Sequence, residues 1–183
     1  MEEPIFQSIE QAIHVAFLMD ILPVTQKSPM QVVIDKMKED AGILQEREGG
    51  SINFGGMTAL EIRAQCAMIR ASVQDHLPSP ERDAIWARYG YQLCKARGVR
   101  GVRDYAKPQL SISGDEATLA LTWSIYCASH QRKDFSLQKL ADEYGFSKTN
   151  AHRNVKKIKE VGMFLRNRGI GRLEGLFAGK GVV

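Results

Sequence analysis

The chain has 183 residues, of which 44% are hydrophobic and 25% are charged. This composition predicts a packed core and argues against a disordered chain. No apolar run approaches the roughly 20 residues that a membrane-spanning helix needs. The acidic start of the sequence is unlike a signal peptide, so we expect a cytoplasmic protein with no membrane partner.

Charge is unevenly distributed along the sequence. The formal net charge is +4, but residues 1–75 carry 6 Lys/Arg against 11 Asp/Glu, a net charge of −5, while residues 131–183 carry 12 against 5, a net charge of +7. Such asymmetry favours nucleic acid as the partner of the basic end. We therefore predict an acidic helical region over 1–75 and a basic helical DNA-binding region over 76–183, which can share one compact domain.

The acidic region is predicted to hold three helices. Apolar residues at helical spacing over 5–21 predict the first, which Pro23 ends, with His14 partly buried and hydrogen-bonded beside its apolar face. Ser28 and Pro29 are typical of a helix start, and the apolar spacing continues to Leu44. A third helix is predicted after the glycine-rich segment 45–57.

Thr58 and Glu61 form a capping box for this third helix, which is predicted to run to about Gln74. Its predicted inner face consists of Leu60, Ala64, Ala67, Met68 and Ala71. The preceding segment 45–57 contains four glycines. It lacks the lysine and hydroxyl residue of a phosphate-binding loop, so it is interpreted as a connecting loop.

The basic region begins with a helix that opens at Ser79 and is predicted to run to Arg97, with Leu93 among its packing residues. The segment 77–90 resembles the helix that precedes the helix-turn-helix in region 4 of sigma factors, with prolines, a Glu-Arg pair and an Arg-Tyr-Gly ending. Segment 95–107 then spaces five basic residues with glycines. The candidates for phosphate or polymerase contact there are Arg97, Arg100 and Arg103. The alternative is a solvated loop whose arginines pair with neighbouring helices.

Ser113 and Glu116 predict another capping box, opening a largely apolar helix to about His130. After the helix-turn-helix that follows, the tail is predicted to form a short amphipathic helix with Leu173, Leu176 and Phe177, which docks on the core or on a partner, with frayed last residues. Strand alternation never persists, so the predicted fold class is all-α, with about six to eight helices.

Residues 136–164 are typical of a helix-turn-helix. Ser136 caps a short helix, Gly145 ends it in the left-handed conformation, and Ser147 caps a second helix. The inner face of the second helix is predicted to consist of Ala151, Val155, Ile158 and Val161. Asn154 stands where such a unit usually has an apolar residue, so Val155 must take that role.

The outer face of the second helix carries side chains that commonly contact bases and phosphates in the major groove of double-stranded DNA. The predicted DNA-binding residues are Lys148, Thr149, Asn150, His152, Arg153, Lys156 and Lys157. The alternative is an ordinary helical hairpin with a solvated basic face.

Catalysis is not predicted, because the sequence has no serine elbow, metal-ligand cluster or phosphate loop. Cys66, Cys94 and Cys127 are too far apart to suggest a zinc site, and each lies in an apolar helical pattern, so all three are expected to be small buried residues. We predict neither a cofactor nor a metal.

The sequence resembles phage late-gene antitermination proteins of the Q type, in particular the zinc-free kind. The resemblance rests on the helix-turn-helix at Ser136–Ile158, the sigma-like helix at Glu81–Gly90, the segment His14–Leu18 and the absence of a zinc motif. It implies a protein of the bacterial host cytoplasm that binds DNA near a late promoter. It further implies engagement of paused RNA polymerase holoenzyme and read-through of terminators.

Other functions stay open at this point. A small terminase subunit also recognises DNA for packaging, although such proteins usually have the helix-turn-helix near the N-terminus. A simple repressor or activator, and a protein adaptor that uses the acidic helices, are further alternatives. A monomer or dimer is expected for a regulator, whereas a packaging protein would form a larger ring.

Overall fold

The computed structural model describes residues 4–22, 54 and 56–183. The predicted helix 28–44, Pro23 and most of the loop 45–57 lie outside the described residues. The described helices are α1 (Ile9–Ile21), α2 (Ala59–His76), α3 (Ser79–Tyr89), α4 (Gln92–Ala106), α5 (Asp115–Tyr126), α6 (Leu137–Tyr144) and α7 (Lys148–Ala178). With seven α-helices and no strand in this part of the chain, the all-α prediction is confirmed. None of these helices is long and apolar enough to cross a membrane.

The chain forms two compact units. The first comprises Met1–Leu77, Tyr89–Tyr91 and Gly169–Val183, and the second comprises Pro78–Arg88 and Gln92–Arg168. The sequence did not indicate that the C-terminal segment belongs with the first unit.

In the first unit, α1 is stabilised at its C-terminus by arginines of α2. Arg63 donates hydrogen bonds to the carbonyl oxygens of Met19 and Leu22, at 3.2 and 2.9 Å, and Arg70 donates to that of Ala16 at 3.0 Å. These carbonyls are at or near the end of α1, where intrahelical partners run out. Positive side chains therefore complement the negative end of the helix dipole.

Helix α2 starts as predicted but faces differently. The Thr58–Glu61 capping box is present, and the backbone hydrogen bond from Thr58 holds the pKa of the Glu61 carboxyl below its usual value. The predicted inner face is wrong, since Leu60 is 78% exposed. The buried residues are Ile62, Cys66, Ile69, Ser72 and Val73. Burying Ile62, Ile69 and Val73 removes more apolar surface from water than burying the three alanines would.

The helix predicted from Ser79 to Arg97 is two helices. Helix α3 ends at Tyr89 and α4 begins at Gln92, whose φ of +46° lies in the left-handed region. A continuous α-helix needs φ near −63° at every position. The break turns Leu93 outward, where it is 80% exposed, so its predicted packing role is wrong.

The glycines of segment 95–107 belong to α4, so the alternative interpretation of this segment as a solvated loop is wrong. A Cβ atom at Gly98 would lie 2.5 Å from the carbonyl oxygen of Asp83 and 2.7 Å from the carbonyl carbon of Trp86, both in α3. A Cβ atom at Gly101 would collide with the Asp83 side chain. These glycines therefore allow α4 to approach the backbone of α3 closely, which a larger residue would prevent.

Helix α5 also differs from its prediction at both ends. Its N-cap residue is Gly114, with φ of +121°, and no side chain caps the first turn, so the Ser113 capping box is wrong. The helix ends at Tyr126 rather than His130, and Ser129–Gln131 forms a separate 3-10 turn.

The C-terminal segment is a continuation of α7 and not a separate short helix. Leu173 and Phe177 are buried, which confirms that the tail docks on its unit. The expected fraying is wrong, because Val182 is buried and its carbonyl oxygen accepts a 3.1 Å hydrogen bond from the backbone N–H of Phe6.

The cysteines and His14 largely follow the sequence. Cys66 and Cys127 are buried, as predicted, whereas Cys94 is half-buried. Burial raises the pKa of the Cys66 thiol to about 11, so this thiol is protonated at neutral pH. His14 is half-buried, with its ring centroid 6.1 Å from that of Tyr89.

Gly98→Ala tests the close approach of α3 and α4. The added methyl group meets backbone atoms that cannot move aside easily, so we expect the free energy of unfolding to fall by about 1–3 kcal/mol. The matched control is Gly171→Ala in α7, where a Cβ atom would meet nothing within 4 Å. There the lower backbone entropy of alanine should raise stability by about 0.5–1 kcal/mol. Urea denaturation followed by circular dichroism measures both, and equal effects would contradict the packing role of Gly98.

Candidate nucleic-acid interface

Helices α6 and α7 are joined by the short turn 145–147. The Ser136 side chain accepts from the backbone N–H of Lys139 and caps α6, as predicted. Gly145 ends α6 with φ of +72°, in the left-handed region, and its N–H donates to the carbonyl of Ala141. Ser147 caps α7 by accepting from the backbone N–H of Asn150 at 3.2 Å. The local signals in the sequence thus placed both helix starts and the turn.

The inner faces of α6 and of the first half of α7 are part of one core in the second unit. Buried side chains from α3, α4 and α5 complete this core, together with Leu140, Ala151, Val155, Ile158, Val161 and Leu165. The four apolar positions predicted for α7 are all buried. Because this face is fixed in the core, the opposite face of α7 is turned outward.

Tyr126 shows how closely α5 and α7 pack in this unit. A Cβ atom at Gly162 would collide with the Tyr126 hydroxyl oxygen. Burial raises the pKa of Tyr126 to about 12, so the phenol stays protonated at neutral pH. Glycine at this position leaves space for the ring beside α7.

The predicted DNA-binding residues lie together along the first turns of α7. Six of them are exposed: Lys148, Thr149, His152, Arg153, Lys156 and Lys157. Asn150 is half-buried. The first turn contains no acidic residue, and Glu160 is the first carboxylate in the helix. Glu160 lies 4.0 Å from the ammonium of Lys156, four residues earlier.

Asn154 is fully buried and replaces the usual apolar residue with a hydrogen-bond network. Its Oδ1 accepts from the backbone N–H of Ser111 at 2.9 Å. Its Nδ2 donates to the carbonyl oxygen of Asn150 at 2.8 Å, and lies 2.9 Å from Asn150 Oδ1 and 3.0 Å from Ser111 Oγ. A buried amide is tolerated when its hydrogen-bonding groups are satisfied. Val155 also lies inward, so both residues share the inner face.

The segment that leads into α5 therefore lies against the start of α7. Lys157 adds a further link by donating from Nζ to the carbonyl oxygen of Gln109 at 2.8 Å. The role of Ser111 could not be predicted from the sequence, because a lone serine 43 residues from its partner leaves no local pattern.

The three candidate arginines of α4 are in different environments. Arg97 and Arg100 are exposed, and the Arg97 guanidinium is 6.0 Å from the Trp86 ring centroid. Arg103 instead pairs with acids, with Nε 2.6 Å from Asp104 Oδ1 and Nη1 3.5 Å from Asp115 Oδ1. Its pairing agrees with the alternative interpretation, in which these arginines bind neighbouring groups of the protein.

Asp115 is also bound by the ammonium of Lys107. The Lys107 hydrogen bond is the main cause that lowers the pKa of Asp115, with a smaller contribution from the charge of Arg103. Two of the basic residues near the start of α5 are thus already paired with the same protein carboxylate. A phosphate contact would have to compete with Asp115 for them.

Glu81, from the sigma-like segment, has a structural partner. Its side chain is only 2% exposed and lies 3.0 Å from the guanidinium of Arg168 in α7. This pair holds the start of α3 to α7 within the second unit. Removing Arg168 is costly, because the Glu81 carboxylate it compensates is desolvated, whereas the Arg168 side chain is 46% exposed.

No family model matches the chain, and no curated protein matches it significantly. Among the described residues, no group of three or more His, Cys, Asp and Glu side chains could hold a metal ion.

Proposed function

We propose that the chain binds double-stranded DNA through α6 and α7, with the first turns of α7 in the major groove. The observation that supports this most directly is the cluster of exposed basic and polar side chains on one face of a helix whose other face is anchored in the core. Such a helix presents its side chains rigidly, as recognition helices do.

Electrostatics favour the same surface. From Lys148 to Lys159 the helix carries no carboxylate, and the residues 131–183 have a net charge of +7. The N-terminus of a helix adds unpaired backbone N–H groups and the positive end of the dipole. Both contributions attract phosphate, and they would position the helix before bases are read.

The biological role we propose is transcription regulation, most specifically phage antitermination with RNA polymerase holoenzyme as the protein partner. This part rests on the resemblance of Glu81–Gly90 and Ser136–Ile158 to the Q-type proteins. Exposed Arg97 and Arg100 are the residues we would assign to polymerase or to additional phosphates. A repressor or activator would use the same DNA surface without that partner.

Replacing Arg153 and Lys156 by alanine, singly and together, tests the DNA surface. The logarithm of the binding constant falls as the logarithm of the salt concentration rises, and loss of one phosphate contact should make this negative slope shallower by about 0.9. Binding to all DNA sequences should weaken alike. Lys180→Ala is the control, because it removes an equal charge at an exposed position in the other unit. Fluorescence anisotropy over a salt series measures both quantities. An unchanged slope in the double variant would leave the solvated hairpin as the better explanation.

Polymerase association tests the antitermination role. Tagged protein is mixed with RNA polymerase holoenzyme, with and without promoter DNA, and the retained polymerase is quantified. We expect retention of the polymerase–promoter complex by the wild type, reduced in the Arg153→Ala, Lys156→Ala double variant. DNA binding without any polymerase retention would instead identify a simple repressor or activator, or a packaging protein.

A further inference from the structure

The side-chain amide of Asn150 is held in one orientation by the protein. Its Oδ1 accepts a hydrogen bond from Ser111 Oγ at 2.7 Å and another from Asn154 Nδ2 at 2.9 Å. An amide oxygen has two lone pairs. Two protein donors therefore lie within hydrogen-bond distance of this oxygen, one for each lone pair.

The orientation is determined by a backbone group. The N–H of Ser111 can only donate, so it requires the oxygen of Asn154 on its side. Nδ2 of Asn154 must then face Asn150, which in turn must present its oxygen. Rotating either amide would place two donors against each other. Because Asn154 is fully buried, solvent cannot compensate for that arrangement.

The Asn150 side-chain amide also carries an NH2 group, whose nitrogen is Nδ2. Within the part of the chain that the structure describes, no hydrogen bond is formed from Asn150 Nδ2, and the residue is half-buried at the edge of the candidate interface. Asn150 thus offers donors without an acceptor. Asparagine reads adenine by donating to N7 and accepting from N6 at the same time, which needs both ends of the amide.

We infer that Ser111 and Asn154 are positioning residues that make Asn150 a donor-only reader of bases, an inference that rests on the proposed DNA binding. Such a group recognises base edges that present acceptors, guanine N7 and O6 or thymine O4, and disfavours the two-bond contact with adenine. The buried network thereby determines base preference at one position of the DNA site, although neither Ser111 nor Asn154 reads the base itself.

Selection of duplexes from a pool of randomised DNA tests this inference. Wild type, Asn150→Ala and Ser111→Ala are compared, and Ser113→Ala is the control because it changes an exposed serine of the same segment. In the wild type, guanine or thymine should be enriched at one position, and Asn150→Ala should lose that preference. Ser111→Ala frees one lone pair of the Asn150 amide oxygen, which can then accept from adenine N6. The frequency of adenine at the Asn150-dependent position should therefore rise about tenfold relative to the wild type. Ser113→Ala should select the wild-type site.

The outcomes separate this inference from the proposed function. Adenine at the Asn150-dependent position in the wild type would overturn it, as would a Ser111→Ala site identical to that of the wild type. An Asn150→Ala site without any altered position would also overturn it, because Asn150 would then contact phosphate only. Retention of no duplex by the wild type would overturn DNA binding itself. Since Ser111 is exposed, the variant should fold, and its circular dichroism spectrum checks this.

Discussion

The burial of one face of α7 is the constraint on which the candidate interface depends. Ala151, Ile158 and Leu165 are fully or almost fully buried in the core of the second unit, at helical spacing. Because these positions are fixed in the core, helical geometry determines which residues of the first turns face outward. Asn154 lies on the same inner face, and its hydrogen bonds are directional, so they fix the orientation of the groups that they join. The buried face of α7 thus determines which side chains the candidate interface presents.

Local signals in the sequence predicted this part of the fold well. A serine cap, a glycine that can adopt positive φ and apolar residues at helical spacing act over a few residues, so Ser136, Gly145 and Ser147 could be assigned without knowing the fold. The Thr58–Glu61 capping box was predictable for the same reason. The four apolar residues predicted for the inner face of α7 are buried, and six of the seven candidate residues on its outer face are exposed. The burial of Asn154 on the inner face was not predicted.

Features that depend on distant segments were not predictable. The exposed and buried faces of α2 were exchanged, since both carry apolar residues and only the packing against α1 selects one of them. Gly98 suggested a loop, but it lies within α4, where the absence of a side chain allows α4 to approach the backbone of α3. The partnership of Asn154 with Ser111 joins residues far apart in sequence. In each case the decisive contact is tertiary, and it overrides local preference.

Amide chemical shifts of the 15N-labelled protein, followed during titration with duplex DNA, test the central claim most directly. We expect the largest changes in residues 148–157 and in the adjoining segment 109–111, which is hydrogen-bonded to them. Residues 59–76 of α2 should change little. Large changes confined to α2, with residues 148–157 unaffected at low salt, would contradict the assignment of α7 as the DNA-binding helix.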